Sequence, residues 1–215
     1  MFRDARGLVF DLDGTLVDSI ADIAHHLNDA LAERGLPTHA TSDIAKWVGE
    51  GARHLVARAV PGSGLIDDVM EGFRARYRAQ PVIHTHVFAG LPAVLDALAP
   101  GRRLAVLSNK PHDLTVQVCR ALLGRWPFVV YEGERADRLP KPDPAGAHAV
   151  LSALGCKPKE AVMIGDSEID VETGRATGMK TIAVAWGLRP REVLQHADKL
   201  VETPADLGAL FSAGS

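Results

Sequence analysis

The stretch GLVFDLDGTLVDS, residues 7–19, carries a short apolar run straight into Asp11 and Asp13, with only Leu12 between them and Gly14 and Thr15 following. Such a run, bounded by turn formers, reads as a buried strand with two carboxylates at its carboxyl end. Four further runs have the same character: Leu104 to Leu107, Phe128 to Tyr131, Ala161 to Ile164 and Thr181 to Ala185. Helical patterns lie between them. Leu91, Val94, Leu95 and Leu98 recur at i, i+3, i+4 and i+7, and Pro144 opens a helix to Leu154 from the first turn, where its missing N–H has no partner to lose. Strands alternating with helices predict an α/β fold, a parallel sheet with helices on both faces.

Residues from about Ile20 to Gln80 interrupt this alternation. IADIAHHLNDALAERG runs to Gly35 and is followed by DIAKWV, ARHLVARAV and DDVMEGFRARYRA, all helical in pattern, with no strand among them. The insert leaves the sheet just after Asp13 and returns through QPVIHTHVFAG, so two chain passages tie a helical unit to the sheet beside the carboxylates. There it is placed to act as a lid. Trp47 reads as a packing residue of this unit. His84 and His86 have strand-like spacing but no third ligand nearby in sequence, and they read as hinge residues rather than a metal pair.

Composition narrows the classes of function. The 215 residues are 47% hydrophobic and 24% charged, enough to bury a sizeable core, and no repeat or low-complexity tract occurs. A net charge of -3, with no Lys/Arg run, gives no field to gather nucleic acid, which is not an expected partner. No apolar run approaches the roughly 18 residues of a membrane span, and charges in MFRDARGLVFD break any leader-like stretch. The expected address is the cytoplasm. Two cysteines, Cys119 and Cys156, read as packing residues in a reduced compartment.

Chemistry in α/β sheets gathers at the carboxyl ends of the strands. Besides Asp11 and Asp13, polar residues fall at three other such places: Ser108, Asn109 and Lys110 in LAVLSNK, Lys141 in the loop LPKPDP, and Asp166 in AVMIGDSEID with Asp170 four residues on. Singly, each has an ordinary reading as a helix cap, a turn or a solvated charge. Gathered in one crevice, three carboxylates repel unless a hard cation and cationic side chains balance them, and hard oxygens are the ligands Mg²⁺ prefers.

DLDGT followed by SN, then KP and GDSEID, in this order and at these spacings, resembles the haloacid dehalogenase superfamily of phosphohydrolases, and the helical insert is similar to its C1-type cap. The resemblance extends over essentially the whole chain. Within the superfamily, FDLDGTLVDS, WVGEGARHLV and TGRATGMKTIAVAWG most resemble the phosphoglycolate phosphatase group. The resemblance implies a Rossmann-like core of residues 1–17 and 84–215 with an α-helical cap of residues 18–83. It also implies a Mg²⁺-dependent phosphatase acting on a small phosphate monoester, 2-phosphoglycolate before others, through an aspartyl-phosphate.

Carried over by position, Asp11 is the nucleophile, and Asp13 is the general acid and then the base. Mg²⁺ is held by the Asp11 carboxylate, the backbone carbonyl of Asp13, and Asp166, with Asp170 orienting metal-bound water from a helix face shared with Asp166. Ser108 and the N–H of Asn109 hold phosphate oxygens, Lys141 neutralises charge and tethers Asp11, and Thr15 contacts phosphate or Asp13. Gly14 permits the tight turn after the strand. In the insert, Gly49 and Gly51 bracket Glu50 ahead of a helix, and free N–H groups there, with Arg53, are candidates to grip a substrate carboxylate. Gly174, where relatives carry alanine, is expected to loosen its helix.

Rival activities separate by chemistry. Asp13 argues against a dehalogenase, and both Asp13 and the presence of Lys46 alone among cap lysines argue against phosphonoacetaldehyde hydrolysis. A β-phosphoglucomutase-like phosphomutase, a pyrophosphatase or a nucleotidase keeps the same core residues, and a non-catalytic phospholigand-binding protein is the alternative from another class. The expected partner is a small-molecule phosphate ester, bound by a monomer or homodimer.

Overall fold

The computed structural model describes residues 2–212. Strand β1 (Gly7–Phe10) is followed by the two-residue strand β2 (Val17–Asp18), by helices α1 (Ile20–Ala32), α2 (Thr41–Trp47), α3 (Ala52–Ala59) and α4 (Ile66–Ala79), and by β3 (His86–Val87). Helix α5 (Leu91–Leu98), β4 (Arg103–Pro111), α6 (His112–Leu123), β5 (Phe128–Glu134), α7 (Pro144–Leu154), β6 (Ala161–Gly165), α8 (Glu168–Thr177), β7 (Lys180–Val184), β8 (Lys199–Val201) and α9 (Pro204–Phe211) complete the chain. The main sheet has the order β5-β4-β1-β6-β7-β8, all parallel.

Period-two alternation along these strands builds the core. Leu8 and Phe10 of β1, Leu104 and Val106 of β4, and Val162 and Ile164 of β6 face one side, where they meet Leu91 and Leu95 of α5, Val118 of α6 and Leu207 and Phe211 of α9. Val9, Ala105 and Met163 point the other way, onto Ala147, Val150 and Leu151 of α7. Because both faces are covered, the central strands read as continuous apolar runs. Gly174 lets α8 lie close on this sheet, since a Cβ there would overlap the Thr181 side chain. Close helix–sheet packing, rather than helix loosening, is therefore its role.

The insert buries its own apolar set: Leu27 and Leu31 of α1, Ile44 of α2, Val56 of α3, and Val69, Phe73 and Tyr77 of α4 are buried together, with Trp47 packed against them. Both passages between insert and sheet are fixed. Strands β2 and β3 pair antiparallel, Val17 with Val87 and Asp18 with His86. Just inside them, buried Asp22 accepts hydrogen bonds from the N–H groups of Ile83, His84 and Thr85 at 2.8–2.9 Å and from the Thr85 hydroxyl. Burial alone would raise the Asp22 carboxyl, but those four donors hold it below the usual carboxylate range.

Three features differ from the sequence reading. β4 does not end at Leu107; it continues to Pro111 through Ser108, Asn109 and Lys110, which are buried and lie in an irregular stretch between the Leu107 and Pro111 pairings with β5. β8 was not anticipated because its three residues, Lys-Leu-Val, carry too little pattern to stand out. The two-residue ribbon of β2 and β3 was missed for the same reason. Cys119 and Cys156 are buried and unpaired with each other, and no helix among the described residues is long and apolar enough to cross a membrane.

Candidate active site

Asp11 continues the line of β1, its N–H donating to the Ile164 carbonyl of β6 at 2.8 Å, so the sheet itself fixes where this carboxylate points. The chain then turns sharply at Gly14, whose φ of 86° lies in the left-handed region and where a Cβ would overlap the Asp166 carboxylate. The turn thus brings the end of β6 against the end of β1.

Three carboxylates meet here. Asp11, Asp166 and Asp170 are buried and offer oxygens that all lie within 4.8 Å of one another. Lys141 enters from the loop before α7 with its Nζ 2.9 Å from Asp11 Oδ1 and 2.6 Å from Asp170 Oδ1. Asp166 accepts from the Thr15 hydroxyl at 3.2 Å and from the Leu188 N–H at 2.7 Å. One ammonium against three carboxylates leaves surplus negative charge. Burial, set against Lys141 and reinforced by Asp170 and Asp166, pushes the Asp11 carboxyl up to about 8. Burial and Asp170 push Asp166 up to about 7. Burial alone would lower Lys141, but Asp11 and Asp170 outweigh it and hold the ammonium above its ordinary range. A buried all-oxygen cluster of three carboxyl groups that one ammonium cannot balance when ionised has the donor chemistry of a site for a hard divalent cation.

Two assignments change in detail. Thr15 contacts Asp166 rather than Asp13, and its carbonyl accepts from Trp186 Nε1 at 3.1 Å. Asp166 does not share a helix face with Asp170: α8 begins only at Glu168, capped by Ser167. Asp170 reaches the site as the third residue of that helix, where its Oδ2 accepts from the N–H and hydroxyl of Ser167 in a capping box.

Asp13 stands apart from the cluster with partners of its own. Ser19 donates its hydroxyl to Asp13 Oδ1 at 2.6 Å, and Lys110 Nζ lies 3.1 and 3.2 Å from the two carboxylate oxygens. The same ammonium donates to the Tyr77 hydroxyl of α4 at 2.8 Å. Burial would lower Lys110, but Asp13 and Tyr77 more than offset it and keep it charged.

Ser108 lines the cavity beside Asp11, its Oγ accepting from the Lys110 N–H at 3.2 Å. The Asn109 side chain is committed to backbone: its Oδ1 accepts from the Lys141 N–H at 2.7 Å, while its Nδ2 donates to the Lys141 and Gly49 carbonyls at 3.0 Å each. It ties the Lys141 loop to β4 and the insert to both. Arg189 adds a second tie, donating to the Lys46 carbonyl at 2.6 Å. Between insert and strand ends lies a cavity of about 50 Å³, walled on one side by Ile23, Val48, Leu55 and Phe73 and on the other by Asp11, Asp13, Ser108, Lys110 and Lys141.

Gly49 and Gly51 border this cavity, whereas Glu50 and Arg53 do not. Arg53 is 62% exposed and pairs with Asp67 at 2.6 Å, because its position in the first turn of α3 turns it outward toward the start of α4. Glu50 is occupied by Arg58 at 2.8 Å and His54 at 3.2 Å. Arg53 is therefore removed from the expected carboxylate grip. His84 and His86 lie in the return passage and belong to no group of metal-type ligands among the described residues. Sequence reasoning missed the roles of Lys110, Tyr77, Ser19 and Arg189. Lys110 was visible as the last residue of SNK, but Tyr77 carried no signal beyond helix periodicity.

The chain matches the haloacid dehalogenase-like hydrolase family over residues 8–184. It is 34% identical over 207 residues to a phosphoglycolate phosphatase of Aquifex aeolicus, with 96% of each chain covered. A phosphoglycolate phosphatase of Rhodospirillum rubrum is 36% identical over 193 residues, which cover 85% of this chain and 80% of that one. Among solved structures, a Lactobacillus delbrueckii subsp. bulgaricus protein provisionally named a phosphoglycolate phosphatase superposes with a TM-score of 0.89 at 30% identity, covering 98% of this chain and 99% of the other. The parallel sheet, the carboxylate cluster at its strand ends and the match across most of the sequence agree: the chain belongs to the haloacid dehalogenase-like hydrolase family.

Proposed function

We propose that this protein is a Mg²⁺-dependent phosphatase that hydrolyses a small phosphate monoester, 2-phosphoglycolate before others, by way of a phosphoryl group carried on Asp11. The observation that carries the reading is the placement of Asp11, held by Lys141 at 2.9 Å, at the floor of a small cavity with Asp13 beside it in a separate set of contacts. Two adjacent carboxylates in different surroundings suit the two roles the reaction needs.

In the first step a carboxylate oxygen of Asp11 attacks the substrate phosphorus, the bond from phosphorus to the ester oxygen breaks, and the leaving oxygen takes a proton from Asp13. In the second, Asp13 takes a proton from water as the water oxygen attacks the same phosphorus, releasing inorganic phosphate and restoring Asp11. Lys141 keeps Asp11 aimed and neutralises charge on the transferring group. Ser108 and the Asn109 N–H bind the phosphate oxygens. Asp11, the Asp13 carbonyl and Asp166 would hold Mg²⁺, with Asp170 behind them, and the ion supplies charge neutralisation at the phosphoryl group when bound.

Residues 18–83 act in this reading as a cap over a core of residues 1–17 and 84–215. Support comes from the insert's apolar set, which takes in only Leu114 of α6 from outside the insert, and from its ties to the sheet through Gly49, Lys46 and Tyr77. The cavity beneath is small, and the relatives named above are phosphoglycolate phosphatases, which together favour a two-carbon substrate. A panel of phosphate monoesters with Mg²⁺, including 2-phosphoglycolate, hexose phosphates, nucleotides and also pyrophosphate, tests the reading by kcat/KM. 2-Phosphoglycolate is expected to rank first; a hexose phosphate or nucleotide ahead of it by tenfold or more would overturn the substrate assignment.

A further inference from the structure

We propose that Lys110, with the Tyr77 hydroxyl, binds a carboxylate on the leaving group, so that the enzyme selects phosphate esters of short hydroxy acids over neutral esters of the same size. The inference rests on the phosphatase reading above and concerns how its pocket recognises the substrate beyond the phosphoryl group.

Elimination points to Lys110 first. A carboxylate drawn from solvent into the cavity loses part of its hydration and needs a cation or several donors in exchange. Of the insert's side chains on the wall, Ile23, Val48, Leu55 and Phe73 give none and Tyr77 a single hydroxyl, while Gly49, Gly51 and Ala52 border the cavity through uncharged backbone. Arg53 faces solvent and Asp67. Of the cationic residues that border the cavity, Lys141 is engaged by Asp11 and Asp170 at the phosphoryl end, which leaves Lys110.

Position and donor count agree with this. The Lys110 side chain is only 4% exposed, and its Nζ touches both oxygens of Asp13, the group placed at the leaving oxygen. In an ester of glycolic acid the carboxylate begins two bonds beyond that oxygen, so a cation touching Asp13 is within its reach. An ammonium has three protons and a phenol one. The three ammonium protons face Asp13 Oδ1, Asp13 Oδ2 and the Tyr77 oxygen, so a substrate carboxylate takes over one of the two Asp13 contacts and accepts from the Tyr77 O–H as well. Ser19 holds Asp13 independently at 2.6 Å, so the acid stays oriented while Lys110 is shared. Tyr77 is itself locked between His26 and Phe73, with ring centroids 4.7 and 5.7 Å away, so the insert delivers a fixed hydroxyl rather than a mobile one.

The test compares 2-phosphoglycolate with 2-hydroxyethyl phosphate, a neutral ester of nearly the same size, by the ratio of their kcat/KM values with Mg²⁺. The wild-type ratio is expected to exceed about 10, and Lys110→Met to lower it by about tenfold or more, whatever its effect on turnover of both esters. Lys110→Arg should keep part of the preference, and Tyr77→Phe should lose a few-fold. Equal losses on both esters would overturn the proposal and make Lys110 only a positioning residue for Asp13. Should Lys110→Met fail to fold, inhibition of the wild type decides: 3-phosphonopropionate is expected to bind at least tenfold more tightly than propylphosphonate, and equal inhibition would refute the inference. Turnover of p-nitrophenyl phosphate without preference for the carboxylate ester defeats this inference alone, whereas absence of turnover on every monoester defeats the phosphatase reading as well.

Discussion

Replacing Asp11 by Asn tests the division of labour in the site, because the amide matches the carboxylate in size but is a poor nucleophile. Asp11 is 8% exposed and its Oδ1 lies 2.9 Å from Lys141, so the variant side chain has the same space and keeps an oxygen for the ammonium. Loss of a covalent nucleophile lowers kcat by about 10⁴ or more, which is roughly 5.4 kcal/mol of transition-state stabilisation at 1.36 kcal/mol per tenfold. Stability should move little. Lys141 retains Asp170 at 2.6 Å, and the substitution removes a buried carboxylate that burial first, and the neighbouring Asp170 and Asp166 after it, hold above its ordinary range. A net change within about 1 kcal/mol is expected, or roughly 2–4 °C in Tm for a chain of this size. Phosphate release with 2-phosphoglycolate and p-nitrophenyl phosphate, paired with thermal melts in chelator, reads both effects. Turnover within tenfold of wild type would refute the role of Asp11, and a fall in Tm of more than about 10 °C would assign the lost activity to unfolding instead.

Asp13→Asn should slow both formation and breakdown of the phosphoenzyme while leaving Mg²⁺ affinity near wild type, whereas Asp166→Asn should weaken Mg²⁺ binding; isothermal titration with Mg²⁺ showing the opposite ranking would exchange the two roles. Arg53→Ala should leave kcat/KM for 2-phosphoglycolate within about twofold, since its guanidinium faces Asp67 and solvent; a tenfold rise in KM would return it to the pocket. Asp22→Asn should cost about 2 kcal/mol at neutral pH, roughly 4–8 °C in Tm, by disrupting charge-assisted bonds to the return passage. Because the folded carboxyl lies below its unfolded value of 3.8, its contribution is present above that value and fades as pH falls through the lower folded one. The gap between wild type and Asp22→Asn should therefore narrow in melts below about pH 4; a gap that widens in acid would contradict the assignment.

Much of the core was legible because its strands are buried on both faces and so appear as unbroken apolar runs, as in Leu8–Phe10 and Ala161–Ile164. The carboxylate cluster was legible for a related reason: polar residues directly after such runs have few structural explanations when several occur in one chain. What escaped was set by tertiary contact. Nothing local in SNK reveals that Lys110 continues a buried strand and meets Asp13 and Tyr77, 97 and 33 residues away in sequence. Arg53 failed in the opposite sense, since a helix start with an arginine looks like an anion site until the helix phase turns that residue to Asp67. Asp170 reached the expected place for a different reason, through a capping box instead of a shared helix face.

Trapping the phosphoenzyme tests the central claim most directly. Wild-type protein mixed with Mg²⁺ and ³²P-labelled 2-phosphoglycolate, quenched in acid within the first turnover and mapped by mass spectrometry, should carry acid-stable, hydroxylamine-labile phosphate on Asp11. Label on another residue, or full turnover with no label on protein at any quench time while Asp11→Asn remains active, would contradict it.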